Sequence, residues 1–133
     1  MVGEMSQETQ KPALILFAED EYYNYLVVYK MLKYLNVEVI HVENGAEAVR
    51  VFKENPDIRL VLMDIKMSGM NGLDATREIK KIRPEVPVIA VTAYALSGDR
   101  EDILAAGCND YLAKPIKMEE LHEMVNKFLQ APV

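Results

Sequence analysis

Residues Leu60–Gly72 read LVLMDIKMSGMNG. Four apolar residues run unbroken into one aspartate, Asp64, and a loop of Met, Gly and Asn follows. A short continuous apolar run is what a strand looks like when helices cover both faces of its sheet. A carboxylate at the end of such a strand needs a reason, and the rest of the chain supplies one.

On either side of this stretch, strand and helix patterns alternate. ALILFA (Ala13–Ala18) is a second continuous apolar run. From Glu21 to Leu35 the spacing of Leu26, Met31, Leu32 and Leu35 predicts a helix. VEVIHV (Val37–Val42) is β-branched and half alternating, as suits an edge strand. Asn44 is a good N-cap with Glu47 three residues on, and Ala48, Val49 and Phe52 form one face of the helix that follows. Ile58–Met63 is the third strand. Leu73, Thr76, Ile79 and Lys80 sit on a helical stretch that RPEVP ends. VPVIAV (Val86–Val91) is the fourth strand, and Gly98–Ala106 a helix stopped by Gly107. DYLA (Asp110–Ala113) is a short fifth strand. Met118, Leu121, Met124, Val125, Phe128 and Leu129 mark the closing amphipathic helix. Five βα units in strict alternation predict an α/β fold: a parallel sheet with helices on both faces.

Size and composition agree. The 133 residues suit one domain, expected over 13–130, and residues 1–12, polar and aperiodic, read as a disordered tail or linker. Half the residues are hydrophobic, 27% are charged, and the net charge is −6. There is no cluster of Lys and Arg for a nucleic-acid backbone, so no direct nucleic-acid binding is expected. No apolar run approaches a membrane span, and the N-terminus carries no signal-peptide pattern. One cysteine, Cys108, cannot form an internal disulfide, which suits a reducing cytoplasm.

In a parallel sheet all strand C-termini share one edge, where ligands of open α/β sheets bind. Strand 1 ends at Glu19-Asp20, strand 3 at Asp64, strand 4 at Thr92 and strand 5 at Lys114-Pro115. Four segments thus bring three carboxylates, a hydroxyl and an ammonium to one crevice. Three close carboxylates repel, so at least one pKa should rise unless a cation sits among them. Oxygen ligands favour a hard ion, Mg²⁺ or Mn²⁺. A carboxylate beside such an ion can take a phosphoryl group, which Thr92 and Lys114 could hold. There is no His/Cys cluster for zinc, no Ser/His/Asp arrangement, and no GxxxxGK[ST] loop for a nucleoside triphosphate.

AEDE, LVLMDIKMSGMNG, VTAYA and AAGCNDYLAKPI, in this order across residues 13–129, resemble the receiver domain of two-component response regulators. The resemblance implies a flavodoxin-like fold with five parallel strands in the order 2-1-3-4-5. It makes Asp64 the phosphoacceptor. Glu19, Asp20 and Asp64, with the backbone carbonyl of Lys66, become the Mg²⁺ (or Mn²⁺) ligands. Thr92 matches the switch hydroxyl, Tyr111 the aromatic that turns inward on phosphorylation, and Lys114 the phosphate-pairing lysine. The Lys114–Pro115 bond is expected to be cis, where only about 5–6% of X–Pro bonds are. Lys66 and Tyr94 occupy the positions that tune hydrolysis of the aspartyl-phosphate, and their long side chains are expected to slow it. Ser68 stands where family members usually have Pro.

The implied function is that of a signalling phosphoacceptor rather than an enzyme with an external substrate. Its partner would be a sensor histidine kinase or histidine phosphotransfer domain, with an unidentified downstream protein and no membrane. The family's active surface corresponds to Gly98–Leu129. Glu19 in place of Asp is typical of receivers attached to hybrid sensor kinases. Two readings stay open, a free-standing single-domain regulator or the receiver of a hybrid histidine kinase, and AED and TAYALSGDRE favour the second.

Three alternatives fit less well. A haloacid-dehalogenase-like phosphatase needs a second Asp two residues after the nucleophile, where this chain has Lys66, and its acidic pair follows the nucleophile rather than preceding it. A flavodoxin-like FMN carrier needs a Ser/Thr/Gly phosphate loop where this chain has EDEYYN. A degenerate receiver acting as a binding module would not keep an intact site. Tyr22, Tyr23, Tyr25, Tyr29 and Tyr34 read as half-buried packing or as a docking face for a histidine-bearing helical partner. His41 and His122 read as surface residues, Cys108 as a buried hydrophobe and the eight Met as core filler.

Overall fold

The computed structural model describes residues 11–67, 69–93 and 99–130. Ten elements alternate: β1 (Ala13–Ala18), α1 (Tyr22–Leu32), β2 (Val37–Val42), α2 (Gly45–Glu54), β3 (Ile58–Asp64), α3 (Gly72–Ile82), β4 (Val88–Thr92), α4 (Asp99–Ala106), β5 (Asp110–Ala113) and α5 (Met118–Gln130). The five strands form one parallel sheet in the order β2-β1-β3-β4-β5. Every parallel crossover carries a helix, and the helices divide between the two faces.

That division explains the unbroken apolar strands. One face packs Leu16, Ala18, Val61, Met63, Val88 and Ala90 against Ala48, Phe52, Ala75, Ile79 and Ile103 of α2, α3 and α4. The other packs Ile15, Phe17, Leu60, Leu62 and Ile89 against Val28, Leu32, Leu121 and Val125 of α1 and α5. Successive residues of one strand point to opposite faces, so a strand with both faces covered must be apolar throughout. β2 is the edge strand expected, and its half-buried residues show it.

Local capping fixes the helix starts. Asn44 Oδ1 accepts the Glu47 N–H at 2.8 Å, and Glu47 Oε1 accepts the Glu43 N–H at 3.1 Å. Asn71 does the same for α3, accepting the Asp74 N–H at 2.9 Å. α4 stops at Gly107, whose φ of +107° is the left-handed turn that glycine adopts without cost.

Three expectations shift. β4 starts at Val88 rather than Val86, because Pro87 has no N–H to add to the ladder and contributes only its carbonyl, to Val61 N–H. α1 ends at Leu32, before Leu35. Among the described methionines only Met63 is fully buried, while Met70 and Met118 are exposed. Within the expected tail, residues 1–10 lie outside the described residues, and Lys11 and Pro12 are exposed.

Candidate functional site

The carboxyl edge of the sheet is where the chemistry-bearing residues meet. Backbone pairing holds the strand ends in place: Glu19 N–H donates to Val42 O, Ile65 N–H to Val91 O, and Lys114 N–H to Thr92 O at 2.8 Å. Asp64 is 3% exposed at the end of β3. Glu19 is buried and Asp20 exposed, so the pair spans the boundary between interior and solvent. Each of Glu19, Asp20 and Asp64 offers a carboxylate oxygen, and these oxygens lie within 4.8 Å of one another. Among the described residues this is the one group of three such side chains close enough to share an ion.

Lys114 reaches this cluster from the loop after β5. Its Nζ lies 3.2 Å from Asp64 Oδ2 and 3.7 Å from Glu19 Oε1. The Lys114–Pro115 peptide bond is cis. One ammonium thus faces two buried carboxylates, with a third at the rim, and the balance stays negative. Glu19 registers the excess. Its pKa is raised from 4.5 to about 7, first by burial and then by the neighbouring Asp64 carboxylate, against the smaller opposing pull of Lys114. Three hard oxygens with uncompensated charge match the donor set of a small divalent cation.

The loop after Asp64 folds back on it. Lys66 N–H donates to Asp64 Oδ1 at 3.1 Å while its side chain is exposed. Gly72 N–H donates to Ile65 O at 3.0 Å. A Cβ on Gly72 would lie 2.2 Å from the Asp64 carbonyl oxygen, so only a glycine lets α3 start this close to the carboxylate. Ser68 and Tyr94 lie outside the described residues, as does Gly98.

Thr92 is 2% exposed at the end of β4 and donates from Oγ1 to Asp99 Oδ2 at 3.3 Å. Tyr111 on β5 is half-buried against the core on the side of α2, α3 and α4. It also lines a surface groove with Glu120, Met124 and Lys127.

Two participants were not anticipated. His41 is half-buried rather than at the surface. Its Nε2 lies 2.8 Å from the Glu19 carbonyl, and its ring stacks on Tyr25 at 3.7 Å with the planes 7° apart. Alternation along β2 marks the face it occupies, but its partner comes from another strand. Asp99 is the other; its place in the first turn of α4 reads as ordinary helix-start acidity. His122 likewise has a partner, the Met31 carbonyl at 2.8 Å from Nε2. The tyrosines divide: Tyr22, Tyr23 and Tyr34 are 64%, 71% and 77% exposed, while Tyr25 and Tyr29 are half-buried and stacked on each other.

A parallel five-stranded sheet in this order, with an acidic cluster and a lysine at its carboxyl edge, defines a class of signalling module. Residues 15–126 match the model of the response regulator receiver domain, and the chain belongs to that family. It is 39% identical over 119 residues, 86% of its length, to hybrid signal transduction histidine kinase G of Dictyostelium discoideum, of which it spans 3%. Its fold superposes with a TM-score of 0.84 on the receiver domain of the sensor histidine kinase PA1611 of Pseudomonas aeruginosa. That chain is 40% identical, with 90% of this chain and 99% of that one covered, and its crystal structure has a magnesium ion coordinated in the active site cleft. The receiver domain of Ssk1 from Saccharomyces cerevisiae, crystallised with the histidine phosphotransfer protein Ypd1, is 26% identical with a TM-score of 0.83, over 92% of this chain and 94% of that one. No described helix is long and apolar enough to cross a membrane.

Proposed function

We propose that Asp64 accepts a phosphoryl group from a phosphohistidine and that the domain relays a signal through the change this causes. The observation that carries the reading is the Asp64 carboxylate, buried at a strand end, with Lys114 Nζ at 3.2 Å and two further carboxylates within reach of a shared ion. The donor set suits Mg²⁺ or Mn²⁺ held by Glu19, Asp20, Asp64 and the backbone carbonyl of Lys66. The bound ion would supply positive charge against the incoming phosphoryl oxygens.

Asp64 carries the chemistry. One carboxylate oxygen attacks phosphorus in line with the P–N bond of a protonated phosphoimidazole. The O–P bond forms as the P–N bond breaks, and its electron pair returns to the ring nitrogen, which leaves as neutral imidazole. Lys114 then pairs with one phosphoryl oxygen and Thr92 hydrogen-bonds another. Tyr111 follows the Thr92 movement, and the shift is passed to the surface of α4, β5 and α5. The family resemblance makes Lys66 and Tyr94 the residues that tune hydrolysis of the product.

The donor is the histidine of a kinase or phosphotransfer domain in the cytoplasm, as suits the hybrid kinase among the relatives and the Ypd1-bound neighbour. It would approach over α1, where exposed Tyr23 and Val27 border an open groove that reaches Glu19, Lys114 and Ile116.

Intact-mass spectrometry tests the reading. Incubation with Mg²⁺ and acetyl phosphate should add one phosphoryl mass, absent in Asp64→Ala and without the metal. A gain that persists in Asp64→Ala would overturn it.

A further inference from the structure

A hydroxyl has one hydrogen and donates to one acceptor at a time. Thr92 gives its hydrogen to Asp99, Oγ1 to Oδ2 at 3.3 Å, from a side chain that is 2% exposed. Its main chain is fixed in the sheet, Thr92 pairing with Ala113 and its carbonyl accepting the Lys114 N–H. Only the side-chain torsion is left to choose between partners.

We infer that Asp99 is a latch, holding the Thr92 hydroxyl in the unphosphorylated protein and competing with the phosphoryl group on Asp64 for that single hydrogen. The inference rests on the proposed phosphoacceptor reading and adds to it a residue outside the acidic cluster. A phosphoryl oxygen can engage Thr92 only if the bond to Asp99 breaks. The two bonds exclude each other, so the first residue of α4 is released whenever Thr92 turns. The released carboxylate is not stranded. It opens a first turn that also carries Glu101 and Asp102, where the helix dipole favours negative charge. At 3.3 Å the bond is long for a hydroxyl donor, so the latch can yield to a phosphoryl oxygen. It also couples the start of α4 to the state of Asp64, through one hydrogen and two side chains.

A double-mutant cycle on beryllium trifluoride binding tests this, since that anion mimics a phosphoryl group on a carboxylate. Wild type, Asp99→Ala, Thr92→Ala and the double variant are titrated with the anion in Mg²⁺ by calorimetry, with melting curves to confirm folding. Asp99→Ala should bind about fivefold more tightly than wild type, the scale of one hydrogen bond no longer broken on binding. In the Thr92→Ala background the same change should move affinity by less than about twofold, because the contested hydrogen is gone. Equal tightening in both backgrounds would show a general charge effect and overturn the latch, and so would no tightening in either. Should Asp99→Ala unfold, Asp99→Asn keeps a weaker, neutral acceptor and should give a smaller tightening, again only with Thr92 present; an unchanged affinity overturns the latch. Failure of wild type itself to bind, matching an Asp64→Ala control, would overturn the phosphoacceptor reading and the latch with it. Binding by wild type without the selective tightening overturns the latch alone.

Discussion

The two ends of the sheet bury charge in opposite ways. At the amino edge, Lys80 on α3 donates to the Asn109 side chain at 2.7 Å, to Val86 O at 2.8 Å and to Pro84 O at 3.2 Å. All three ammonium hydrogens have acceptors. Asn109 Oδ1 also takes the Val88 N–H at 2.9 Å, so this one cluster pins α3, β4 and the start of β5 together. Nearby, Arg83 donates to Phe52 O at 2.7 Å and Asn55 O at 3.0 Å, with its guanidinium over the Phe52 ring. At the carboxyl edge one lysine faces two buried carboxylates, and Glu19 responds with a raised pKa. Lys80, saturated, serves the fold, while Arg83 keeps one buried Nε–H without an acceptor among the described residues. The unsaturated charge at the carboxyl edge waits for a ligand.

The contrast can be broken most sharply from the amino edge. Lys80→Met leaves the Val86 and Pro84 carbonyls without this donor and takes from Asn109 Oδ1 one of its two. It should cost about 2 kcal/mol of stability by urea denaturation while leaving the phosphorylated mass yield unchanged. At the carboxyl edge the sign reverses. Glu19→Gln removes a buried repulsive charge and should stabilise the metal-free protein by about 1 kcal/mol at pH 8, yet abolish the rise in melting temperature on adding Mg²⁺.

The pH dependence follows from the same group. Between pH 4.5 and about 7 the folded Glu19 keeps a proton that the unfolded carboxyl has lost. Metal-free stability from this group is therefore greatest below pH 4.5 and is lost as pH rises through about 7. A cation must displace that proton, so the Mg²⁺-induced rise in melting temperature should be larger at pH 8 than at pH 5.5 by scanning calorimetry. The smallest effect concerns kinetics. Lys66→Asn combined with Tyr94→Ala should shorten the phosphoryl lifetime about threefold, read by mass spectrometry over time, if two long side chains screen the attacking water.

Pattern located β1, β2 and β5 to the residue: β1 because burial on both faces leaves little choice of residue type, the two edge strands β2 and β5 because short β-branched or aromatic runs lie between turn residues. The meeting of Glu19, Asp20, Asp64, Thr92 and Lys114 at one edge was legible for a topological reason: parallel strands end together. What escaped were contacts that depend on which strand or helix lies alongside. His41 reads as an isolated polar residue on an edge strand until β1 is placed beside it, bringing the Glu19 carbonyl into reach. Asp99 reads as helix-start acidity until the end of β4 is placed against it. The methionines misled for a different reason. Met is apolar enough for a core and flexible enough for a surface, so its type alone does not decide.

Gly72 has a consequence for anyone redesigning this domain. It is absent from the glycines with positive φ, so its backbone would suit any residue, and a torsion-based survey would mark it as free to vary. The constraint is one of distance: a methyl group at 72 would meet the Asp64 carbonyl at 2.2 Å. Loop grafts or library diversity between Asp64 and α3 should therefore treat position 72 as a fixed anchor and place variation upstream of it. Even alanine there would shift the backbone that carries the carboxylate, turning a conservative substitution into a change of chemistry.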